Sequence, residues 1–275
     1  MVQRVISQTA LKAAAGRAAH LLVDHPPYLL DDPVAVRMLG DRADELVDRH
    51  RLDGSNPVLA AARAQVTART RFTEDRLAAA RLDQYVLLGA GLDSFAHRSP
   101  LAGSARVFEV DHPETQEYKK SVAPSGPVNY VPVDFETDGL LDRLTEAGFD
   151  PARPALVGWL GVSAYLELPD IERLLAVVGT FAPGTEIVAE HMLPGGHRDA
   201  AGDSYVEAIE PTVVASGEPW RSLLSTADMA DMLRRNGFGT VRAVEQQDWV
   251  DAALWDRSDG LAPIRVSMLA HAVVG

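Results

Sequence analysis

From Ser7 to Val23 the residues Ala, Leu and His recur at helical spacing, and the pattern stops at Asp24-His25-Pro26-Pro27, where prolines cannot continue a helix. Asp31-Asp32-Pro33 predicts a second helix, with Asp32 as N-cap and Pro33 at the first helical position. Residues 60–80 are rich in Ala and Arg and carry Val66, Phe72 and Leu77 at helical spacings, which predicts one further helix. Everything before Tyr85 therefore reads as helical. Beyond it, short β-rich runs at Tyr85–Leu88, Ala105–Val110, Val128–Val133, Leu156–Leu160 and Thr185–Glu190 alternate with segments of helical period. That alternation implies βαβ units on a parallel sheet, an α/β fold. The clearest crossover helix follows Pro169-Asp170, buries Ile171, Leu174, Leu175 and Val178, and stops at Pro183-Gly184. Ser225-Thr226 cap another, with Met229, Met232 and Leu233 apolar and Gly237 as its stop. Two late strands, about Thr240–Glu245 and Ile264–Ala272, finish the chain, and the last has no following helix. Residues 194–222 fit neither period and predict a lid or insertion over a site.

At 275 residues the chain can bury one large core with a modest appendage: a helical part over residues 1–80, and a core over residues 81–275 that carries the insertion. A net charge of −13 argues against a nucleic-acid backbone or an anionic membrane as partner, because both demand a basic face. A small-molecule acceptor or a protein substrate is the more natural partner. The chain has no cysteine, which excludes disulfides, thiolate nucleophiles and cysteine-ligated metal centres and suits the cytoplasm. The stretch Met1–Gln8 has no apolar run resembling a signal peptide, and nowhere do about eighteen apolar residues run together. Histidines 25, 97 and 112 do not form metal-ligand spacing, and no G-x-S-x-G elbow occurs, so neither a metal site nor a serine hydrolase is expected.

The chemistry concentrates where the apolar run Tyr85-Val86-Leu87-Leu88 meets Gly89-Ala90-Gly91-Leu92-Asp93-Ser94-Phe95. A buried strand ending in a glycine turn lets backbone approach a ligand closely, and a second strand then ends in Phe108-Glu109-Val110-Asp111. Asp111 lies about twenty residues past Gly91, where a ribose-gripping acid belongs. Glu109 shares its face by strand alternation, so either acid is a candidate. A pyrophosphate asks for a third small residue after the glycine pair, and this chain has Ser94 followed by bulky Phe95. The pattern therefore suits a nucleoside cofactor without phosphate better than a dinucleotide.

Four motifs appear in order: Val86 to Phe95, Phe108-Glu109-Val110-Asp111-His112-Pro113, Val131-Pro132-Val133-Asp134-Phe135, and Trp159-Leu160-Gly161-Val162-Ser163-Ala164-Tyr165-Leu166. Over roughly Arg17 to Met192 they resemble the leucine carboxyl methyltransferase family, including its bacterial small-molecule O-methyltransferases. The resemblance implies a class I methyltransferase fold, a Rossmann-like seven-stranded sheet with the last strand antiparallel, an N-terminal helical cap, a lid at about 194–222, and S-adenosylmethionine as cofactor. It implies Gly89 and Gly91 at the cofactor, Asp111 on the ribose, and Asp134 with Phe135 on the adenine. Arg69, in Ala68-Arg69-Thr70-Arg71, matches an arginine that reaches the cofactor's carboxylate, a task suited to its planar fork. The neighbouring Arg63, Arg71, Arg76 and Arg81 read as a mostly solvated face. Leu160 departs from the pattern, because the family usually has there a glutamate that receives the ammonium of the methionyl end. Tyr165 matches a tyrosine that faces substrate, and His191, at the end of the fifth strand, is the best-placed base for a hydroxyl acceptor.

The resulting expectation is an S-adenosylmethionine-dependent O-methyltransferase acting on a carboxylate or hydroxyl of a small molecule, such as a polyketide or other secondary metabolite. The alternative, motivated by Leu160, is a methyltransferase fold repurposed for a non-methylating or regulatory role. Nothing in the sequence addresses oligomeric state.

Overall fold

In the computed structural model, which describes residues 7–275, the strands β1 (Gln84–Leu88), β2 (Arg106–Asp111), β3 (Val128–Pro132), β4 (Leu156–Trp159), β5 (Glu186–Met192), β6 (Phe238–Val244) and β7 (Ser267–Val274) form one sheet. Their spatial order is β3-β2-β1-β4-β5-β7-β6. The first five pair in parallel, and β7 inserts antiparallel between β5 and β6, as the family resemblance implies. The chain builds outward from β1 to β3 and then returns to lay β4 on the other side of β1. That reversal opens a crevice at the carboxyl ends of β1 and β4, the usual ligand position in such sheets.

Ten α-helices surround the sheet among the described residues: α1 (Gln8–Val23), α2 (Ala35–Met38), α3 (Ala43–Leu52), α4 (Pro57–Ala80), α5 (Phe95–Arg98), α6 (Pro113–Val122), α7 (Leu140–Glu146), α8 (Leu168–Val178), α9 (Ala200–Ala215) and α10 (Thr226–Arg235). The sheet is covered on both faces, which is why its strands read as near-continuous apolar runs. On one face Val86, Leu88, Phe108 and Trp159 pack against Ile171, Leu174 and Leu175 of α8 and Met229 of α10. On the other, Tyr85, Leu87 and Val188 meet Ala64, Ala68 and Leu77 of α4. Residues Met1–Ile6, part of the N-terminal stretch read above as free of a leader-like run, lie outside the described residues. No helix among the described residues is long and apolar enough to cross a membrane.

Several expectations shift once side chains are placed. Ser7 caps α1 through its hydroxyl, which accepts from the Ala10 amide at 3.1 Å. The helix expected at Pro33 begins only at Ala35, because the Asp32 carboxylate is drawn inward. It accepts from the Arg17 guanidinium at 2.9 Å, the Ser94 hydroxyl at 2.6 Å and the Ala35 amide at 3.0 Å. The segment 194–222, read as irregular, contains the four-turn helix α9; Gly202 near its start and Pro211 inside it had obscured the period. Arg63, expected on a solvated face, is fully buried and grips Asp24 with two nitrogens at 2.8 Å. Arg71 does lie on that outer face, paired with Asp75.

Asp32 anchors a buried cluster. Arg17 also donates to the Leu92 carbonyl at 2.6 Å, and Arg98 reaches Asp32 at 3.5 Å while pairing with Glu74 of α4. Burial opposes ionisation of Asp32, but Arg17, Arg98 and the Ser94 hydroxyl outweigh it and hold its pKa below the ordinary carboxylate range. Removing one partner of a buried ion pair strands the other, at a typical cost of about 3–5 kcal/mol. Asp32→Ala is therefore expected to destabilise the protein by that amount, read as a shift of the urea unfolding midpoint; a change under about 1 kcal/mol would show that the cluster is not structural.

Candidate active site

At the end of β1, Gly89 adopts φ +67° and Gly91 φ +50°, conformations open to glycine. The Gly89 and Ala90 amides donate to the Val110 carbonyl at 2.8 and 3.0 Å, which folds the turn onto the end of β2. A Cβ on Gly89 would lie 2.3 Å from Val162 Cγ2, so this backbone approaches its neighbour more closely than any side chain permits. Asp111 closes the arrangement: its carboxylate accepts from the Gly91 amide at 2.6 Å and from the His112 amide at 2.7 Å. Burial nevertheless pushes its pKa up, with those two amides working against the shift.

A cavity of about 390 Å³ opens over this turn, within the ~300–1,000 Å³ usual for small-ligand sites. It brings Gly89, Gly91, Asp111, Asp134, Phe135, Arg69 and Leu160 to one wall system, with Tyr165 at its edge. Asp134 commits one oxygen to the Glu136 amide at 2.9 Å, and its own amide donates to Asp138 at 2.9 Å. Leu160 is partly buried and packs with the cluster that includes Leu87 and Ala68. The cavity is also bounded by Arg17 from α1 and by Gly217, Glu218 and Pro219 just after α9. Glu218 accepts from the Thr9 amide at 3.0 Å and hydroxyl at 2.6 Å, joining the start of α1 to the segment after α9.

A second cavity, of about 330 Å³, shares Thr9, Ala13, Arg69, Gly161, Val162 and Tyr165 with the first. Its further lining is mainly apolar, including Leu59, Val66, Met192, Ile209 and Val213, with Tyr205 and Trp220 from the α9 region. Burial raises the pKa of the Tyr165 phenol, against hydrogen bonds with Thr9 and Trp220, and burial likewise raises that of Tyr205. Both phenols are therefore proton donors at neutral pH. Arg69, 13 % exposed, stands in the shared wall and donates to Glu190 at 2.6 Å. Neither Glu190 nor this pairing was foreseen from sequence, since the two residues are 121 positions apart.

Two nominated residues lie elsewhere. His191 lines neither cavity: it is 2 % exposed, neither ring nitrogen has a partner among the described residues, and burial lowers its pKa to about 4. Its neighbour Glu190 points to the cavity side, so strand alternation turns His191 away and removes it as a base. Glu109 is likewise withdrawn from ribose binding. It is 1 % exposed and sits 2.6 Å from Lys119, with burial lifting its pKa to about 7.

The profile of the leucine carboxyl methyltransferase family matches residues 10–179. Over its whole length the chain is similar to YktD of Bacillus subtilis, a protein named as an S-adenosyl-L-methionine-dependent methyltransferase, at 28 % identity covering 97 % of each chain. Among solved structures, a protein of Thermobifida fusca described as a methyltransferase superposes with a TM-score of 0.61 at 17 % identity, covering 90 % of this chain and 96 % of that one. Human N-acetylserotonin methyltransferase, solved with S-adenosylmethionine, superposes with a TM-score of 0.51 at 12 % identity, covering 98 % of this chain and 68 % of that one. These two likenesses carry the fold.

His191 stays neutral in the folded protein down to about pH 4, whereas an unfolded histidine takes a proton near pH 6.5. The unfolded state binds more protons between those values, so the contribution of His191 is fully present above pH 6.5 and is lost as pH falls toward 4. A displacement of that size corresponds to about 3 kcal/mol. His191→Leu should flatten the stability profile in this window by an amount of that order, measured as urea midpoints at pH 7 and pH 4.5. Equal pH slopes in the two proteins would show that His191 is hydrated and titrates normally.

Proposed function

Because the chain belongs to the leucine carboxyl methyltransferase family and is an S-adenosylmethionine-dependent methyltransferase, we propose that it methylates a carboxylate oxygen of a small, largely apolar acceptor, yielding a methyl ester. The observation that carries this reading is that, among the described residues, no carboxylate or imidazole stands free where the two cavities meet. Glu190 is engaged by Arg69, Gln65 and Ser267; His50 faces Arg63 and is lowered to about 4 by burial; Tyr165 and Tyr205 keep their protons. A hydroxyl acceptor must surrender a proton to a base, whereas a carboxylate is already ionised at neutral pH.

The cofactor, when bound, supplies a methyl group on a positively charged sulfur. The residues present fit such a molecule: bare glycine backbone for close approach, a strand-end acid for ribose hydroxyls, and an arginine for an α-carboxylate. In this reading Asp111 takes the ribose, Asp134 and Phe135 the adenine, and Arg69 the carboxylate, while Leu160 leaves the ammonium to water or backbone. Tyr165 donates to one acceptor oxygen and so turns the other toward the methyl group, since in-line transfer depends on alignment. The helices of residues 1–80 and the segment 194–222 act as the cap and lid that exclude water, which favours the approach of an anion to a cationic donor. The apolar lining of the second cavity supports a small-molecule acceptor over a charged polymer.

Product chemistry tests the carboxylate assignment. With a panel of small apolar carboxylic acids and phenols of matched size, and a cofactor labelled in its methyl group, mild alkali should release the label as methanol, as it does from esters. Alkali-stable ethers formed from the phenols alone would overturn the reading. For the cofactor, Asp111→Ala removes a charge-assisted acceptor worth about 1.5–3 kcal/mol, so affinity for S-adenosylhomocysteine should fall roughly ten- to a hundredfold in calorimetry. Unchanged affinity would remove Asp111 from the ribose.

A further inference from the structure

Arg69 sits in the one wall common to both cavities, and the way it is held carries more than its identity does. Among the described residues its guanidinium makes a single hydrogen bond, from Nη1 to Glu190 Oε2 at 2.6 Å. The other carboxylate oxygen of Glu190 accepts from Gln65 Nε2 and from Ser267 Oγ, each at 2.9 Å, and those two donors are themselves 3.0 Å apart. Glu190 is 3 % exposed, Ser267 1 % and Gln65 7 %, so this is a buried, fully satisfied polar group rather than a surface pairing. The backbone is pinned as well, since the Ser163 hydroxyl donates to the Glu190 carbonyl at 2.6 Å. Opposite Glu190 the guanidinium lies against Gly161, at φ +69°, where a Cβ would come within 2.8 Å of Nη2. The planar group is thus slotted between a buried carboxylate and bare backbone.

We infer that Glu190, braced by Gln65 and Ser267, is a positioning residue that fixes the Arg69 fork for the carboxylate of the cofactor's amino-acid end. The inference rests on the reading of Arg69 given above. A free arginine loses much side-chain freedom when it binds, and holding it beforehand removes that cost from the affinity. One arm of the fork is used by Glu190, and the remaining donors are left for a ligand. A wholly structural pair would not need to face ligand space. Arg63 of the same helix shows that alternative, sealed from solvent against Asp24 and lining neither cavity.

Calorimetry with two ligands separates positioning from general damage. S-adenosylhomocysteine carries the amino-acid end, whereas 5′-methylthioadenosine keeps the nucleoside and lacks that end. Arg69→Ala is expected to weaken S-adenosylhomocysteine roughly ten- to a hundredfold, and Glu190→Gln, which keeps the shape and an acceptor for Gln65 and Ser267, roughly five- to twentyfold. The double variant should be no weaker than Arg69→Ala beyond about twofold, because both changes act through one contact. Binding of 5′-methylthioadenosine should stay within about twofold in all three. Should Glu190→Gln fail to fold, Ser267→Ala removes one brace and must weaken S-adenosylhomocysteine selectively in the same way. If Arg69→Ala weakens binding while Glu190→Gln and Ser267→Ala leave it intact, the brace is wrong and the reading of Arg69 stands. If Arg69→Ala itself has no effect, that reading falls and the inference with it. Equal losses for both ligands, or full additivity in the double variant, would mark Glu190 as merely structural and overturn the proposal.

Discussion

The buried Asp32 carboxylate is the point on which the arrangement of the site depends. Two segments converge on it, Arg17 from α1 and, from α5, the N-cap Ser94 with Arg98, and Arg98 is tied onward to Glu74 of α4. Burying so many charges is expensive, and they are tolerable only because each finds partners. The gain is specificity of placement. Arg17 grips the Leu92 carbonyl, so the first helix is locked to the turn that follows β1, and part of the first cavity's lining is set by the same bonds that seat the N-terminal helices. Glu74 shows the strain in this balance: burial raises its pKa to about 7 despite the adjoining Arg98.

The sheet reversal supplies the crevice, but the two cavities divide it unequally. Over the first, backbone dominates, because the glycine turn and the amides around Asp111 present the main chain itself. Over the second, side chains dominate, and α9 contributes much of the covering surface through Tyr205, Ile209 and Val213. Thr9 and Glu218, both lining the first cavity, join the start of α1 to the segment after α9. The wall they share is narrow, and Arg69 occupies it with a partner that neutralises its charge. The Arg69–Glu190 pair therefore adds direction without adding net charge to either space.

The strands, the crossover helix α8 and the glycine turn with Asp111 were legible because each depends on local pattern. A glycine pair at a strand end, or an acid at the next one, announces itself within a few positions. The parity of β5 was not legible, because all seven of its residues are buried and no polar alternation reveals which side chains face the cavity. Of the two neighbours it is Glu190, not His191, that lines the second cavity. The Ala-rich α4 hid its phase similarly: small residues pack on nearly every side, so Arg63 could be read as solvated when it is sealed inside. Asp32 carried the signature of a cap and does accept from Ala35, yet its larger role requires Ser94 and Arg98, which no spacing rule connects to it.

An acidic chain must still admit an anion if its acceptor is a carboxylate. With a net charge of −13 the far field is unfavourable, so the local charges decide. The acids nearest the shared wall are engaged: Glu190 by Arg69, Glu218 by Thr9, and Glu45 by Arg42 at 3.1 Å. Lys12 and Arg49, both lining the second cavity, pair with no acid at ion-pair distance among the described residues. Burial and the nearby Arg49 lower the pKa of Lys12, although Glu218 acts in the opposite direction. Two cations that repel each other beside an apolar space are relieved by an incoming negative charge. Because both side chains are exposed and Debye screening spans about 8–10 Å at ordinary salt, they act on approach and orientation more than on the reacting oxygen. On the proposed reading, the apolar lining takes the body of the acceptor, and its carboxylate lies beside Tyr165 and Arg69, the proton donors in the wall that the two cavities share.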